Sequence, residues 1–430
     1  MEIKSFKNYL IPSLVATVFL ATYVIFDGIF IGVKLSDLGL SAINIGWPVV
    51  AILHSMGIGL GISAGIYISR KNGEGKYDEA NKAKLTSIII LLILGVVFTT
   101  IIFFLKKPLI YLFGADDVVY PYADEYLTTY LLFGGILFVI GPALIPLLKN
   151  SGKSKMAMIA SISSVVLNFT LDYIFIIVLD MGLKGAALAS ILGQLSCVII
   201  ALFSYYKEFD GVSFNKQYIK KFFISGIAPY VLNFSYDIIL IITNRVCGYF
   251  NGNEAIATYA LLTYALYVVN AICQGVGDGI QPMFSYYSDK NDKKMLRKLV
   301  MKSLIISFIV NSIFITLFII FRYQIAKLFN LSDVGLNIFK YASIFYGISF
   351  FMISISKVIA SYFYSVNRNL YANIMTIIEP FILTPLCYLL CIPFGIDAIW
   401  WSYLIIQSIL FILSIFLYIR SEMKLWTASY

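Results

Sequence analysis

The sequence predicts an all-α polytopic membrane protein with about twelve transmembrane helices. Three observations carry this. The 430-residue chain is 60% hydrophobic and only 13% charged, against roughly 25% charged residues in ordinary globular domains. Its mean hydropathy is +0.87. Long apolar runs recur along it, each able to cross a hydrocarbon core of ~30 Å. They fall at 9–33, 45–68, 84–105, 122–148, 156–179, 183–206, 222–247, 255–284, 302–321, 338–363, 370–392 and 396–419. In lipid, backbone groups must be satisfied within their own segment, so runs of this length are read as helices.

The elements follow in order. The first run leads into FDGIFIG without a small-residue cleavage site, so it is read as a retained span and not a signal peptide. The second holds the only histidine, His54, in a packing or pore-lining position. Spans five and six are separated by a tight turn marked by Asp180, Gly182, Lys184 and Gly185. The basic loop 207–221 divides the spans six and six, giving an N-lobe at 1–206 and a C-lobe at 222–430. The five cysteines, Cys197, Cys247, Cys273, Cys387 and Cys391, fall in or near spans and are read as small packing residues.

Lys and Arg set the orientation. With both termini cytoplasmic, the inside segments hold about 23 basic residues and the outside segments about 7. The inside segments include 70–84, 149–155, 207–221 and 288–298. The net charge of +9 is therefore a signature of loop topology. It does not point to nucleic acid, since no soluble basic domain carries it. No catalytic cluster of His with Ser, Asp or a metal set is present, which argues against an enzyme. No G-x-x-x-x-G-K-[ST] sequence occurs, which argues against ATP as the energy source.

The halves repeat weakly. Residues 56–82 and 274–298 align at Gly57/Gly275, Gly59/Gly277, Gly61/Gly279 and Ile62/Ile280, and 150–160 aligns with 365–375. Six spans per half give both halves the same orientation. The expected architecture is two six-helix lobes related by a pseudo-twofold axis along the membrane normal. The glycines suit either close helix packing or a gating role.

Two carboxylates stand inside apolar runs. Asp27 lies in the first span, and Asp172 lies in LNFTLDYIFIIVL, four residues after Asn168. An intramembrane acid costs from about 3 to more than 10 kcal/mol and is kept where it pairs, titrates or binds an ion. Asn168 and Asp172 share one helix face. Ser190 follows the tight turn and runs back beside them, and Asp27 completes an oxygen set of the kind hard cations take. The competing reading is a structural hydrogen-bond network.

The motifs FDGIFIG, LGLSAINIGWPV, GISAGIYISRKNGEGKYDEANKA, LNFTLDYIFIIVLDMGLKGAALASILGQ and GIQPMFSYYSDKN, in this order, resemble the multidrug and toxic compound extrusion (MATE) family, in its MepA-like and DinF-like bacterial branch. The resemblance implies a secondary antiporter that exports organic cations in exchange for Na⁺ or H⁺ by alternating access, with no other cofactor. It implies a cation site on Asp27, Asn168, Asp172 and Ser190, the last replacing a usual Thr. It also implies a monomer in the bacterial plasma (inner) membrane, with small cationic molecules and the bilayer as partners. A lipid-linked oligosaccharide flippase of the same superfamily is the alternative. The acidic lean of the N-lobe favours cationic cargo over a pyrophosphate.

The C-lobe departs from that pattern. Thr243 or Asn244 aligns with Asp27, and no acid aligns with Asp172. Asp237, Arg245, Lys357 and Glu379 supply other charges; Lys357 either reaches Glu379 and neutralises it or snorkels to the cytoplasmic face. Asp237 and Glu379, with the aromatics Tyr23 and Tyr173, are the expected substrate contacts. Aromatic faces attract organic cations by about 0.5–2 kcal/mol each.

Overall fold

The computed structural model describes residues 5–209, 212–290, 292–366, 368–395 and 397–427. Their order is α1 (Ser5–Gly73), α2 (Tyr77–Leu112), α3 (Tyr120–Phe133), α4 (Leu137–Asn150), α5 (Ser154–Asp172), a π-helical segment Tyr173–Val178, and α6 (Gly182–Tyr205) with a 3₁₀ turn Tyr206–Glu208. There follow α7 (Gln217–Asp289), α8 (Lys293–Ile320), α9 (Arg322–Leu328), α10 (Asp333–Ser365), α11 (Asn369–Ile378), a second π-helical segment Glu379–Leu383, α12 (Thr384–Tyr388), α13 (Cys391–Phe394) and α14 (Asp397–Thr427).

At 1.5 Å per residue, the 69 residues of α1 are far too long for one crossing of a ~30 Å core. The helix is in fact two, broken where Ser36 takes φ 50 and ψ −142. The 73-residue α7 is broken in the same way, at Gly252 with φ 64. Each half of the sequence thus opens with two spans joined at one left-handed residue. Among the described residues, eight helices are long and apolar enough to cross a membrane, or ten if each bent pair counts as one span. The shorter apolar helix Leu370–Leu386 lies where the eleventh span was expected.

Among the described residues, two spans are bent pairs of helices. The fourth, expected as one run over 122–148, bends by 62° between α3 and α4. Gly134 and Gly135 stand at the break, where the backbone leaves the helix at least cost, and the Gly134 N–H returns to the Tyr130 carbonyl at 2.8 Å. The seventh bends by 42° between Gln217–Ile227 and Pro229–Phe250, and Pro229 has no N–H to continue the ladder.

The chain divides into two compact units, 33–245 and 1–32 with 246–430. This grouping follows packing, whereas the expected lobes follow the repeat. The two differ over spans one and seven. In the second unit, Leu10, Phe284, Tyr362, Phe363 and Leu417 form part of one buried cluster, fed by α1, α7, α10 and α14. In the first unit, Leu92, Ile93, Val96, Val97 and Phe104 of α2 are exposed, as befits a face toward lipid. The four cysteines with described side chains are buried and free, and the Cys387 side chain lies outside the described residues.

Without a hydrophobic drive between helices in lipid, close packing holds them together. The glycine ladders serve this. A Cβ on Gly57 would overlap the Val139 carbonyl, one on Gly61 the Ala143 backbone, and one on Gly59 would sit 2.8 Å from the Gly226 carbonyl. In the second unit, Gly275 faces Leu14 and Thr17, and Gly277 faces Ser361.

A polar staple gathers helix ends in the first unit. Glu208 accepts from Lys84 Nζ at 2.7 Å and pairs with Lys153, while Lys84 also donates to Asn81 Oδ1 at 3.0 Å. The Tyr205 ring lies 4.9 Å from the Lys153 ammonium and 5.8 Å from that of Lys84. One carboxylate therefore ties the start of α2, the α4–α5 turn and the end of α6. Burial pushes the Glu208 carboxyl up, but hydrogen bonds from Lys153 and Lys84 outweigh it and hold the group below its ordinary value. A depressed carboxyl contributes stability above its unfolded value, about 4.3, and loses it as pH falls through the folded value. Glu208→Gln leaves Lys84, 6% exposed, without its counter-charge. Breaking a fully buried pair costs about 3–5 kcal/mol, and the partial exposure of Glu208 lowers this to about 1–3 kcal/mol at pH 7. Thermal unfolding of both proteins in detergent should show the gap closing below about pH 4. A gap that does not change with pH contradicts the staple.

Candidate cation and substrate site

Asp27 sits in the first part of α1, and its Oδ1 is buried with no hydrogen-bond partner among the described residues. The next residue, Gly28, leaves room for Tyr264: a Cβ there would lie 2.5 Å from the Tyr264 ring. That ring stacks on Phe329 at 5.5 Å, and Gly32 meets the Phe329 backbone one turn further on. The turn that carries Asp27 is thus packed closely against Tyr264 and Phe329 at Gly28 and Gly32.

Asn168, Asp172 and Ser190 come together in the other unit. Asn168 Nδ2 donates to Ser190 Oγ at 3.3 Å. Asn168 is 6% exposed and Asp172 1%. Gly193 makes this approach possible, since a Cβ there would lie 2.8 Å from the Ser164 carbonyl and 3.1 Å from Asn168 Cβ. The expected turn is present, with Asp180 and Gly182 both at positive φ and Asp180 paired to Lys34 at 2.7 Å. Asp172 ends α5, and the π-helical segment begins at the next residue. Such segments loosen the regular ladder and are frequent at functional sites. Asn168 donates through its amide nitrogen, and its side-chain oxygen is an acceptor by chemistry. A carboxylate, an amide oxygen and a hydroxyl are hard oxygen donors, suited to Na⁺ and, at the carboxylate, to a proton.

The expected substrate contacts divide between the units. Asp237 of α7 takes a hydrogen bond from the indole of Trp47. Nearby aromatics pair up: Trp47 with His54 at 6.1 Å, and Tyr230 with Phe234 at 5.8 Å. Glu379 is 8% exposed and opens the second π-helical segment. Its Oε1 accepts from Gln407 Nε2 at 2.7 Å. Tyr173 is half exposed and starts the first π-helical segment. The side chain of Tyr23 lies outside the described residues.

This placement of acids on apolar helices can be set beside known proteins. The MatE family profile matches residues 12–174 and 230–389. The chain belongs to the MATE family. Among relatives, the multidrug export protein MepA of Staphylococcus saprophyticus is 24% identical over 428 residues, covering 94% of this chain and 91% of its own. MepA of Staphylococcus aureus is 25% identical over 417 residues with the same coverage. Among solved structures, an inward-facing multidrug resistance MATE family transporter of the MOP superfamily superposes with a TM-score of 0.83 at 19% identity, covering 94% of each chain. The MATE multidrug transporter DinF-BH gives 0.75 at 26% identity, covering 97% of this chain and 95% of its own. These matched structures have twelve helices in two lobes, and this chain shares that fold.

Two partners in this MATE chain escaped the sequence reading. Gln407 is a polar residue in the last apolar run, so a signal existed, but nothing in sequence aims it at Glu379, 28 residues away. Nothing in the sequence marks Trp47 as the donor to Asp237.

Proposed function

We propose that this chain is a secondary antiporter that exports organic cations in exchange for Na⁺ or H⁺. The observation that carries this is Asp27: a carboxyl oxygen buried with no hydrogen-bond partner among the described residues, inside a span of a MATE-family chain. A carboxylate deprived of water is stabilised by taking a proton or a metal cation. Asn168, Asp172 and Ser190 are the other members of the proposed coupling set. Cargo and coupling ion favour different states of a two-state protein, and each biases the affinity for the other by the same factor. Asp237, Glu379, Tyr23 and Tyr173 are the candidate cargo contacts. The carboxylates attract the cation's charge and the aromatic faces its body.

The lobes move as N-lobe 1–206 and C-lobe 222–430 in this reading. The protein is a monomer of the bacterial plasma membrane with both termini in the cytoplasm. Single cysteines at Asn72, Gly152 and Gly211, the last outside the described residues, should react with an impermeant thiol reagent only from the cytoplasmic side. One at Asp116 should react only from outside. A mixed pattern would mean that the span count or the orientation is wrong. The transport reading itself is tested by purified protein in liposomes loaded with a cationic dye. Dye should move under an imposed Na⁺ gradient or an imposed pH gradient. No movement under either one, with folded protein present, sinks the proposal.

A further inference from the structure

Asn44 and Asn244 lie 200 residues apart, at the start of span two and near the end of span seven, and are joined by two hydrogen bonds. Asn44 Nδ2 donates to Asn244 Oδ1 at 2.7 Å, and Asn244 Nδ2 donates to the Asn44 backbone carbonyl at 2.7 Å. Both residues are buried. A helical carbonyl is ordinarily taken by the N–H four residues on. Here that residue is Pro48, which has none. The proline opens one acceptor on span two, and the amide of Asn244 fills it. A buried carbonyl left open is costly, so the pairing is specific.

Neighbouring contacts hold the same stretch of span seven. Arg245 Nη1 donates to the Tyr111 carbonyl at 3.0 Å, at the far end of α2. Gly114, with φ +115, lets the α2–α3 turn press on Asn244, since a Cβ there would lie 2.9 Å from its carbonyl. The orientation proposed above places all of these at the outer side of the membrane, opposite the 70–84 and 207–221 loops.

We infer that the Asn44–Asn244 pair, keyed by Pro48, is an outer latch that joins span two to span seven and must release before the outer side opens. The inference rests on the transport reading. Neither asparagine touches cargo or coupling ion in this account; both are positioning residues. Release is feasible because water entering the opened outer side takes over every group the latch frees. A purely apolar contact would lack that exchange of partners.

The test uses the full chain in liposomes. Thr243, fully buried beside the latch, is replaced by cysteine and probed with a membrane-impermeant thiol reagent from outside. Pro48→Ala gives span two the missing N–H, which competes with Asn244 for the carbonyl while leaving both asparagines in place. It should raise the labelling rate about fivefold, as expected for one net hydrogen bond. Asn244→Ala removes both bonds and should raise it further. Separately, cysteines at positions 44 and 244 are joined by a short reducible crosslinker in a background with the five native cysteines replaced. Dye transport should stop and return on reduction. A merely structural pair would not behave so. Unchanged labelling in Pro48→Ala and Asn244→Ala overturns the latch, as does full transport by the crosslinked protein. A wild-type protein that moves no dye but shows latch-dependent labelling counts against the transport reading and leaves the latch standing.

Discussion

Asp27→Asn is expected to abolish ion-coupled export while leaving a folded protein. The substitution keeps the shape of the side chain and removes the charge that a proton or Na⁺ neutralises. Among the described residues, Oδ1 of Asp27 has no hydrogen-bond partner to lose. Thermal stability should therefore stay within about 1 kcal/mol of wild type, or rise, since burying an amide costs less than burying a charge. Dye export under the coupling gradient should fall to the level of empty liposomes. Asp172→Asn should do nearly the same. Ser190→Ala should weaken coupling less, because it removes one neutral oxygen among several, although it also frees the Asn168 N–H it now accepts. A graded series, with both acid variants inactive and Ser190→Ala partly active, fits the coupling site. Wild-type export by Asp27→Asn would move the coupling role to Asp237 or Glu379.

The largest loss of stability is expected at the glycine ladder. In Gly57→Leu the new side chain meets the Val139 backbone, and in Gly61→Leu that of Ala143. Backbone cannot rotate away as a side chain can, so α4 must move off span two. Overpacking ordinarily costs about 1–3 kcal/mol, and contact with backbone puts these variants at or above the upper end. Gly95→Ala is the graded comparison. Its nearest neighbours, Cα and Cγ2 of Ile136, lie at 3.2 Å, and its cost should be under about 1 kcal/mol. Monodispersity and thermal unfolding in detergent read the series. Equal behaviour of the Leu variants and Gly95→Ala would mean that the ladder is loose and serves movement instead.

Much of this was legible before any coordinates. Length and apolarity determine how many crossings are possible, and a carboxylate in an apolar run is conspicuous because lipid offers it no water. Asp27, Asp172 and the Asn168–Asp172 spacing were readable on that ground. Ser190 was readable because a short turn returns span six beside span five. The bend at Gly134–Ile136 was missed because hydropathy averages over a window and does not register local geometry, although the Gly-Gly pair marks the place. The partners Gln407 and Trp47 were missed because tertiary contact depends on which faces meet, and a single sequence does not encode that locally. The Asn44–Asn244 pair has the same origin. The repeat aligned Asn244 near Asp27 in the other half, but only the fold brings it to the carbonyl that Pro48 leaves open.

The central claim is that cargo and a cation compete through one coupled equilibrium. The most direct test uses purified protein in liposomes, with the coupling ion at equal concentration on both sides and no membrane potential. A cationic dye is then added on one side alone. If the account is right, the dye gradient drives Na⁺ or H⁺ the opposite way, read by a Na⁺- or pH-sensitive probe inside. The ion flux vanishes in Asp27→Asn. Dye movement with no counter-flow of either ion, or a counter-flow unchanged in Asp27→Asn, contradicts it.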